Sequence, residues 1–110
     1  MLREIPERDW KIFRQLYPIA RERFGQRAIA EIQRLISQGG QPCIEQFWDV
    51  VDYTAGQKKE VNDVFDDLRR STAMIKVAIL RKEGLLTEGE IARFSPEFRE
   101  WLEGMRAMSR

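Results

Sequence analysis

The spacing of apolar residues through the centre of this chain constrains its fold more than any other feature. The positions that follow one unbroken register are Ile44, Phe47, Val51, Thr54, Lys58, Val61, Phe65, Leu68, Thr72, Ile75 and Ile79. Alternating steps of three and four residues are the heptad pattern of a helix that packs along one side. The pattern therefore predicts one long helix over about residues 42–82. A break at Thr54–Gly56 stays an alternative, because the seam is polar at Thr54 and at Lys58.

The segments before this stretch also have helical spacing. One helix is predicted from about Pro6 to Leu16 and a second up to Ser37, and Pro18 either starts the second helix or kinks a continuous one. Ser, Gly and Pro cluster only at residues 37–42, which predicts a hinge between two helical parts.

The C-terminal part predicts two short helices. Thr87 with Glu90 three residues later has the spacing of a capping box, and Ser95 before Pro96 is a helix start. No stretch alternates apolar and polar residues over the length of a strand. At 110 residues, the sequence predicts a single all-α domain over residues 1–110, with its hinge near 37–42.

The predicted architecture is a helical hairpin or bundle with one long central helix and two short C-terminal helices. A helix of about 40 residues is roughly 60 Å long, whereas the preceding one, of about 20 residues, covers only about 30 Å. Because long apolar stripes do not stay in water, we expect a homodimer. Its interface is predicted at Phe65, Leu68, Thr72, Ile75 and Ile79. The alternative is a closed monomeric bundle, in which the C-terminal helices cover the seam.

Charge is distributed unevenly although the net charge is only +1. Residues 43–67 are acidic, and residues 68–82 contain bases without an acid. The candidate anion or partner contacts in that basic segment are Arg69, Arg70, Lys76, Arg81 and Lys82. Two antiparallel copies would pair acidic with basic halves. The alternative is a solvated helix whose bases favour its C-terminal end.

The composition argues against an enzyme. The chain has no His and a single Cys, Cys43, so it lacks the commonest general base and the commonest zinc ligands. Acidic residues on helix faces are Glu45, Asp49 and Asp52, then Glu60, Asp63 and Asp67. Such carboxylates hold Mg²⁺ in all-α nucleotide pyrophosphohydrolases, but there they come from two facing helices. Here both clusters fall on one predicted helix, so we expect no catalytic, metal or cofactor site.

The sequence also predicts where the protein resides. The N-terminal segment is charged and has no apolar run, and no stretch approaches 18 consecutive apolar residues. With its single cysteine, the chain is expected in the reducing cytoplasm, without a membrane partner.

Two local resemblances accompany these patterns. Residues 80–91 (LRKEGLLTEGEI) resemble a short C-terminal helical-hairpin module of many bacterial proteins, which implies oligomerisation or protein contacts. Residues 66–71 (DDLRRS), with 84–87 (GLLT) and 94–97 (FSPE), are similar to small uncharacterised bacterial helical proteins. That resemblance implies a helical fold and no activity.

The sequence thus favours a small cytoplasmic, non-catalytic protein of bacterial or phage type that binds a partner protein. An inhibitor, an antitoxin or an adaptor would fit equally. The first alternative is a nucleic-acid-associated regulator that uses the basic segment 69–82, although a net charge near zero argues against strong binding to nucleic acid. The second is a metal-dependent phosphohydrolase that uses the helix-borne carboxylates.

Overall fold

The structure, a computed structural model, describes residues 2–108, and its regular secondary structure is entirely helical. Its helices are α1 (Glu7–Ser37), α2 (Cys43–Phe65), α3 (Ala73–Lys82), α4 (Glu88–Ile91) and α5 (Pro96–Met108), with a 3-10 turn at Arg70–Thr72. Residues 2–108 contain no strand. The all-α class is confirmed, as are the turn that follows Ser37 and the two short C-terminal helices.

The longest helix is the first one. With 31 residues, α1 is about 46 Å long at 1.5 Å per residue, and it runs through Pro18 without interruption. Pro18 has no N–H for the carbonyl four residues earlier. The helix continues because its neighbours Leu16, Tyr17 and Ala20 are all buried in the core, which fixes the backbone on both sides.

The predicted continuous helix over residues 42–82 is wrong. α2 runs unbroken through Gly56 but ends at Phe65, and α3 begins only at Ala73. Three carboxylates, Asp63, Asp66 and Asp67, lie at or just beyond the C-terminal end of α2. Negative charge there opposes the helix macrodipole, and this disfavours further helix.

Two side chains from elsewhere satisfy the carbonyl groups at the end of α2. The Tyr17 hydroxyl donates a hydrogen bond to the carbonyl oxygen of Phe65. Lys76 Nζ donates to the carbonyl oxygens of Asp63 and Val64 at 2.9 and 3.0 Å. The last four carbonyl groups of a helix have no partner within the helix, so these bonds stabilise the break.

All buried apolar residues of the described chain lie in residues 5–20 and 64–102. They form one cluster built from the first half of α1, the end of α2, and α3 to α5. We call this part the head. Asp9, also fully buried, accepts hydrogen bonds from the backbone N–H and hydroxyl of Ser95, both at 2.7 Å. This links the starts of α1 and α5.

The turns of the head follow the predicted local signals. Gly84, at φ +73°, follows α3 in a left-handed conformation that glycine adopts without strain. Thr87 and Glu90 form the predicted capping box, and the Ser95 hydroxyl accepts from the N–H of Phe98 at 3.2 Å. Both predicted helix starts are confirmed.

The second half of α1 and most of α2 extend from the head as a two-helix hairpin. We call residues 21–63 the arm. The structure describes every residue of the arm, and none of them is buried. The molecule measures 55 × 26 × 21 Å, which reflects this projection. Among residues 2–108, no helix combines the length and the apolar character that crossing a membrane requires.

Candidate protein-binding surfaces

The side of α2 that packs on α1 is not the predicted heptad seam. Gln46, Val50, Tyr53 and Gln57 are half-buried in the arm, and Gln46 Nε2 donates to the carbonyl oxygen of Leu35 at 2.9 Å. Predicted seam residues such as Phe47 follow these half-buried residues by one position. On a helix with 3.6 residues per turn, they therefore point about 100° away from the side that packs on α1. This seam is therefore largely exposed along the arm.

The exposed apolar residues of both arm helices share one side of the hairpin. On α1, Ile29 and Ile36 each follow a half-buried residue, Ala28 and Leu35. On α2, the exposed Phe47 follows the half-buried Gln46 in the same way, and Val51, itself half-buried, follows Val50. In two antiparallel helices that face each other, the same rotation brings both sets to the same broad side.

We call this side the arm face and define it by Ile29, Ile36, Ile44, Phe47 and Val51. The first four of these side chains are 55 to 62% exposed. Trp48 lies at its edge, 54% exposed, with its ring 5.5 Å from that of Phe47. The arm carries five of the nine large exposed apolar residues found in residues 2–108.

The opposite side of the arm is charged. α2 contributes Glu45, Asp49 and Glu60 there, all exposed. On α1, Arg34 forms an ion pair with Glu31 at 2.5 Å, and its hydrogen bonds lower the pKa of the Glu31 carboxyl. The arm is therefore amphipathic as a unit, with one apolar and one hydrated side.

The structure separates the residues that the sequence assigned to an interface. Phe65 is 8% exposed and packs edge-on against the rings of Tyr17 and Phe24, at 5.5 and 5.7 Å. It belongs to the core of its own chain, which corrects its assignment to an interface. Leu68, however, is 40% exposed, and Thr72 is half-buried in the 3-10 turn.

The remaining two predicted interface residues line a groove in the head. Ile75 and Ile79 lie with Leu102 and Arg106 along a groove of about 550 Å³ between α3 and α5. Lys82, from the predicted basic set, lies at the same groove. The structure thus places two residues of the predicted interface, Ile75 and Ile79, beside Lys82 of the predicted basic set. The heptad pattern alone did not indicate a groove between α3 and α5.

Most of the predicted basic contacts serve the fold itself. Arg69 pairs with Asp67 at 2.6 Å. Arg70 pairs with Glu7 at 2.6 Å.

Arg81 pairs with Glu88 and Glu103 at 2.5 and 2.9 Å. Lys76 binds the end of α2, as described above, and Lys82 is exposed. Four of the five predicted cations are thus paired or hydrogen-bonded within the chain, which reduces the positive charge that segment 69–82 presents to nucleic acid.

The acidic clusters do not form a metal site in the described chain. Within residues 2–108, no group of three His, Cys, Asp or Glu side chains is arranged to hold a metal ion. Asp49 accepts a hydrogen bond from Gln41 at 2.8 Å, and Asp67 is paired with Arg69. Cys43 is exposed at the first residue of α2.

Sequence reasoning missed the α1 half of the arm face. Its signal is the seven-residue spacing of Ile29 and Ile36, which marks one side of a helix. The heptad pattern runs only from Ile44 to Ile79, so it assigned no exposed side to α1. Which side of α1 is exposed depends on how α1 packs against α2, and the spacing within one helix does not contain that information.

Comparison with known proteins gives a fold and no family. No protein-family model matches the chain, and no curated protein matches it. Among solved structures, the chain is similar to the Fluorescence Recovery Protein from Synechocystis sp PCC 6803 and to a variant of it with one arginine replaced by lysine. In each case the sequence identity is 22%, the match covers 93% of this chain and 97% of the other, and the TM-score is 0.77. At this identity the likeness establishes a common helical fold.

Proposed function

We propose that this protein is a non-catalytic protein-interaction protein that self-associates through the arm face. One observation carries the proposal: residues 21–63 contain no buried residue and yet carry a continuous apolar side. Two packed helices alone cannot enclose a core, so the arm face stays in water in the isolated chain. Contiguous exposed apolar surface of this kind is a mark of a protein–protein contact.

The size of the arm fits a second copy of the chain. The whole arm is about 30 Å long and two helices, roughly 20 Å, wide, so its broad side measures about 600 Å². The residues of the arm face span seven positions on each helix, about 10 Å, and form the apolar centre of that side. Stable protein–protein interfaces bury about 800 Å² on each partner. In a two-fold symmetric dimer the same patch is used on both copies, so a self-complementary apolar side is what such an interface needs.

The proposed homodimer differs from the one that the heptad pattern predicted. Its apolar contacts come from Ile29, Ile36, Ile44 and Phe47, at the distal part of the arm, and not from Phe65. The heads then lie outside the interface and remain available to another protein. We propose that such a protein acts in the bacterial cytoplasm by occupying a partner's surface.

The fold likeness favours a narrower role. The solved neighbour is named for the recovery of fluorescence, and we propose that this chain acts in a related regulatory process. Deleting its gene should slow the recovery of pigment fluorescence in the source organism. An unchanged recovery would remove this narrower role and leave the protein-binding proposal standing.

Analytical ultracentrifugation at tens of micromolar tests the self-association. The unmodified chain should sediment at twice the mass of the 13.0 kDa chain. Phe47→Glu places a charge in the arm face without touching the core, and Gly56→Glu adds the same charge on the opposite side of α2. We expect a monomer for Phe47→Glu and a dimer for Gly56→Glu.

The expected size of the effect follows from exposure. Phe47 is 56% exposed, and about 100 Å² of a phenylalanine's surface is worth roughly 2.5 kcal/mol at 25 cal/mol per Å². The residue occurs twice in a symmetric dimer, so its loss costs about 5 kcal/mol, more than a thousandfold in dissociation constant. A 13.0 kDa species for the unmodified chain would contradict the proposal.

A further inference from the structure

A second groove runs along the outer side of α5. It has a volume of about 520 Å³, and a single stripe of α5 lines it with Glu97, Glu100, Trp101, Gly104 and Met108. Apart from the neighbours Glu100 and Trp101, these positions are spaced by three, four or seven residues or their sums, so all five lie within one side of the helix. Leu2 and Met105 complete the lining.

The floor of this groove is apolar and firmly held. Trp101 is half-buried, packs against the core of the head, and stacks at 5.9 Å on the fully buried Phe98. Met108, by contrast, is 81% exposed. The groove thus combines a rigid aromatic wall with a flexible thioether, a pairing that adapts well to the side chains of a protein partner.

Gly104 leaves the groove open at its centre. Glycine in the interior of a helix is destabilising relative to alanine, so the local stability of α5 does not favour it there. At Gly104 a Cβ atom would meet no other heavy atom of the chain within 4 Å. The packing of the chain therefore does not require glycine there. The absence of a side chain lets the backbone of an incoming helix approach α5 closely, because the separation of packed helices depends on the side chains at the contact.

The rim of the groove is acidic. Glu97 and Glu100 are exposed, and neither takes part in an ion pair within residues 2–108. On the other side of α5, by contrast, Glu103 is paired with Arg81 at 2.9 Å. Two uncompensated carboxylates beside an apolar floor complement a ligand that carries cations beside an apolar anchor.

The geometry points to this α5 groove as a docking site for a basic amphipathic helix of a partner protein. An apolar side chain of that helix fits between Trp101 and Met108, over Gly104, and its Lys or Arg residues pair with Glu97 and Glu100. The site lies in the head, away from the arm face, so it binds its partner independently of self-association.

A labelled helical peptide of Leu and Lys, with its Leu at helical spacing, serves as the probe, and its Glu-for-Lys counterpart as the negative control. Gly104→Leu projects a side chain into the groove from a position where a Cβ atom meets no other heavy atom within 4 Å, and it raises the helical propensity of α5. Gly56→Leu is the matched control, since Gly56 also has nothing within 4 Å of its Cβ position but lies in the arm. We expect Gly104→Leu to fold with an unchanged or higher melting temperature and to bind the Lys peptide at least about tenfold more weakly than Gly56→Leu does.

Further variants separate the proposal from its alternatives. Replacing Glu97 and Glu100 by Gln should weaken peptide binding about fivefold, because exposed charge pairs contribute modestly. Amide NMR signals of Gly104 and the indole signal of Trp101 should shift with the Lys peptide, and Phe47→Glu should bind it normally. Equal binding by Gly104→Leu and Gly56→Leu, or shifts confined to the arm, would overturn the proposal. A change in oligomeric mass on Gly104→Leu would also overturn it, by assigning the groove to a second copy.

Discussion

The end of α2 offers the most specific test of how this fold is held together. Lys76 lies in α3 with 11% of its side chain exposed, and its Nζ caps two carbonyl groups at the end of α2. Lys76→Met keeps the aliphatic stem and removes the charged donor. We expect this variant to be destabilised, because two carbonyl oxygens in a largely buried site lose their hydrogen-bond partner.

The magnitude follows from the number and type of these bonds. A hydrogen bond that involves a charged group contributes about 1.5–3 kcal/mol net to stability. Methionine does not carry the desolvation cost of a buried ammonium group, so part of this loss is offset in the variant. The expected loss is therefore about 2–4 kcal/mol for the two bonds together. Lys82→Met makes the same chemical change in the same helix at an exposed position and should alter stability by less than about 0.5 kcal/mol.

Urea denaturation at one fixed protein concentration measures both variants against the unmodified chain. The concentration is held constant because self-association contributes to apparent stability. If the free energies of unfolding of Lys76→Met and Lys82→Met agree to within about 0.5 kcal/mol, the lysine cap does not stabilise the break.

Three further predictions concern the stability of variants in the head. The hydrogen bonds from Arg23 hold the pKa of Glu90 at about 2, below its usual 4.5, so the stability it contributes is complete above pH 4.5 and lost as pH falls toward 2. Glu90→Gln should therefore cost up to roughly 3 kcal/mol at pH 7 and almost nothing at pH 2, in denaturation at each pH. Asp9→Ala should cost about 3 kcal/mol or more by thermal denaturation, since it removes two hydrogen bonds to a buried carboxylate. Phe65→Ala should cost about 3–5 kcal/mol and Leu68→Ala under about 1.5 kcal/mol; equal losses would mean that Phe65 is not a core residue.

The features that the sequence predicted well depend on residues close together in the chain. Thr87 caps a helix whose Glu90 returns the hydrogen bond, and Ser95 caps the helix that Pro96 begins. Each signal is complete within four residues, so no knowledge of the rest of the fold is needed. The all-α class follows in the same way from helical spacing along the whole chain.

The break after Phe65 was not predictable in this way. Heptad spacing continues through it without a slip, and only tertiary partners reveal it: Tyr17 lies 48 residues earlier and Lys76 lies on the next helix. Acidic residues at 63, 66 and 67 were a local signal of a helix end. Apolar periodicity outweighed that signal in the prediction.

The orientation of α2 was missed for a different reason. Periodicity assumes that the most apolar side of a helix faces the core, but in the arm Gln46 and Gln57 lie on the inner side while Phe47 lies outside. A hydrogen bond from the Gln46 side chain to the backbone of α1 stabilises this inner position. An apolar side that the chain does not bury itself is the pattern that a second protein would complete.

We propose that a second copy of the chain buries the arm face in solution. The solvent accessibility of isoleucine methyl groups tests this most directly. In the single chain Ile29, Ile36 and Ile44 are 55 to 62% exposed, more than Ile19 at 41% and Ile75 at 47%. With ¹³C-labelled methyl groups and a soluble paramagnetic probe, NMR relaxation reports the accessibility of all five. If two copies pair through the arm face, this order reverses, and the three arm residues are protected while Ile19 and Ile75 stay accessible. Relaxation that follows the single-chain order, with the arm isoleucines the most accessible, would contradict it.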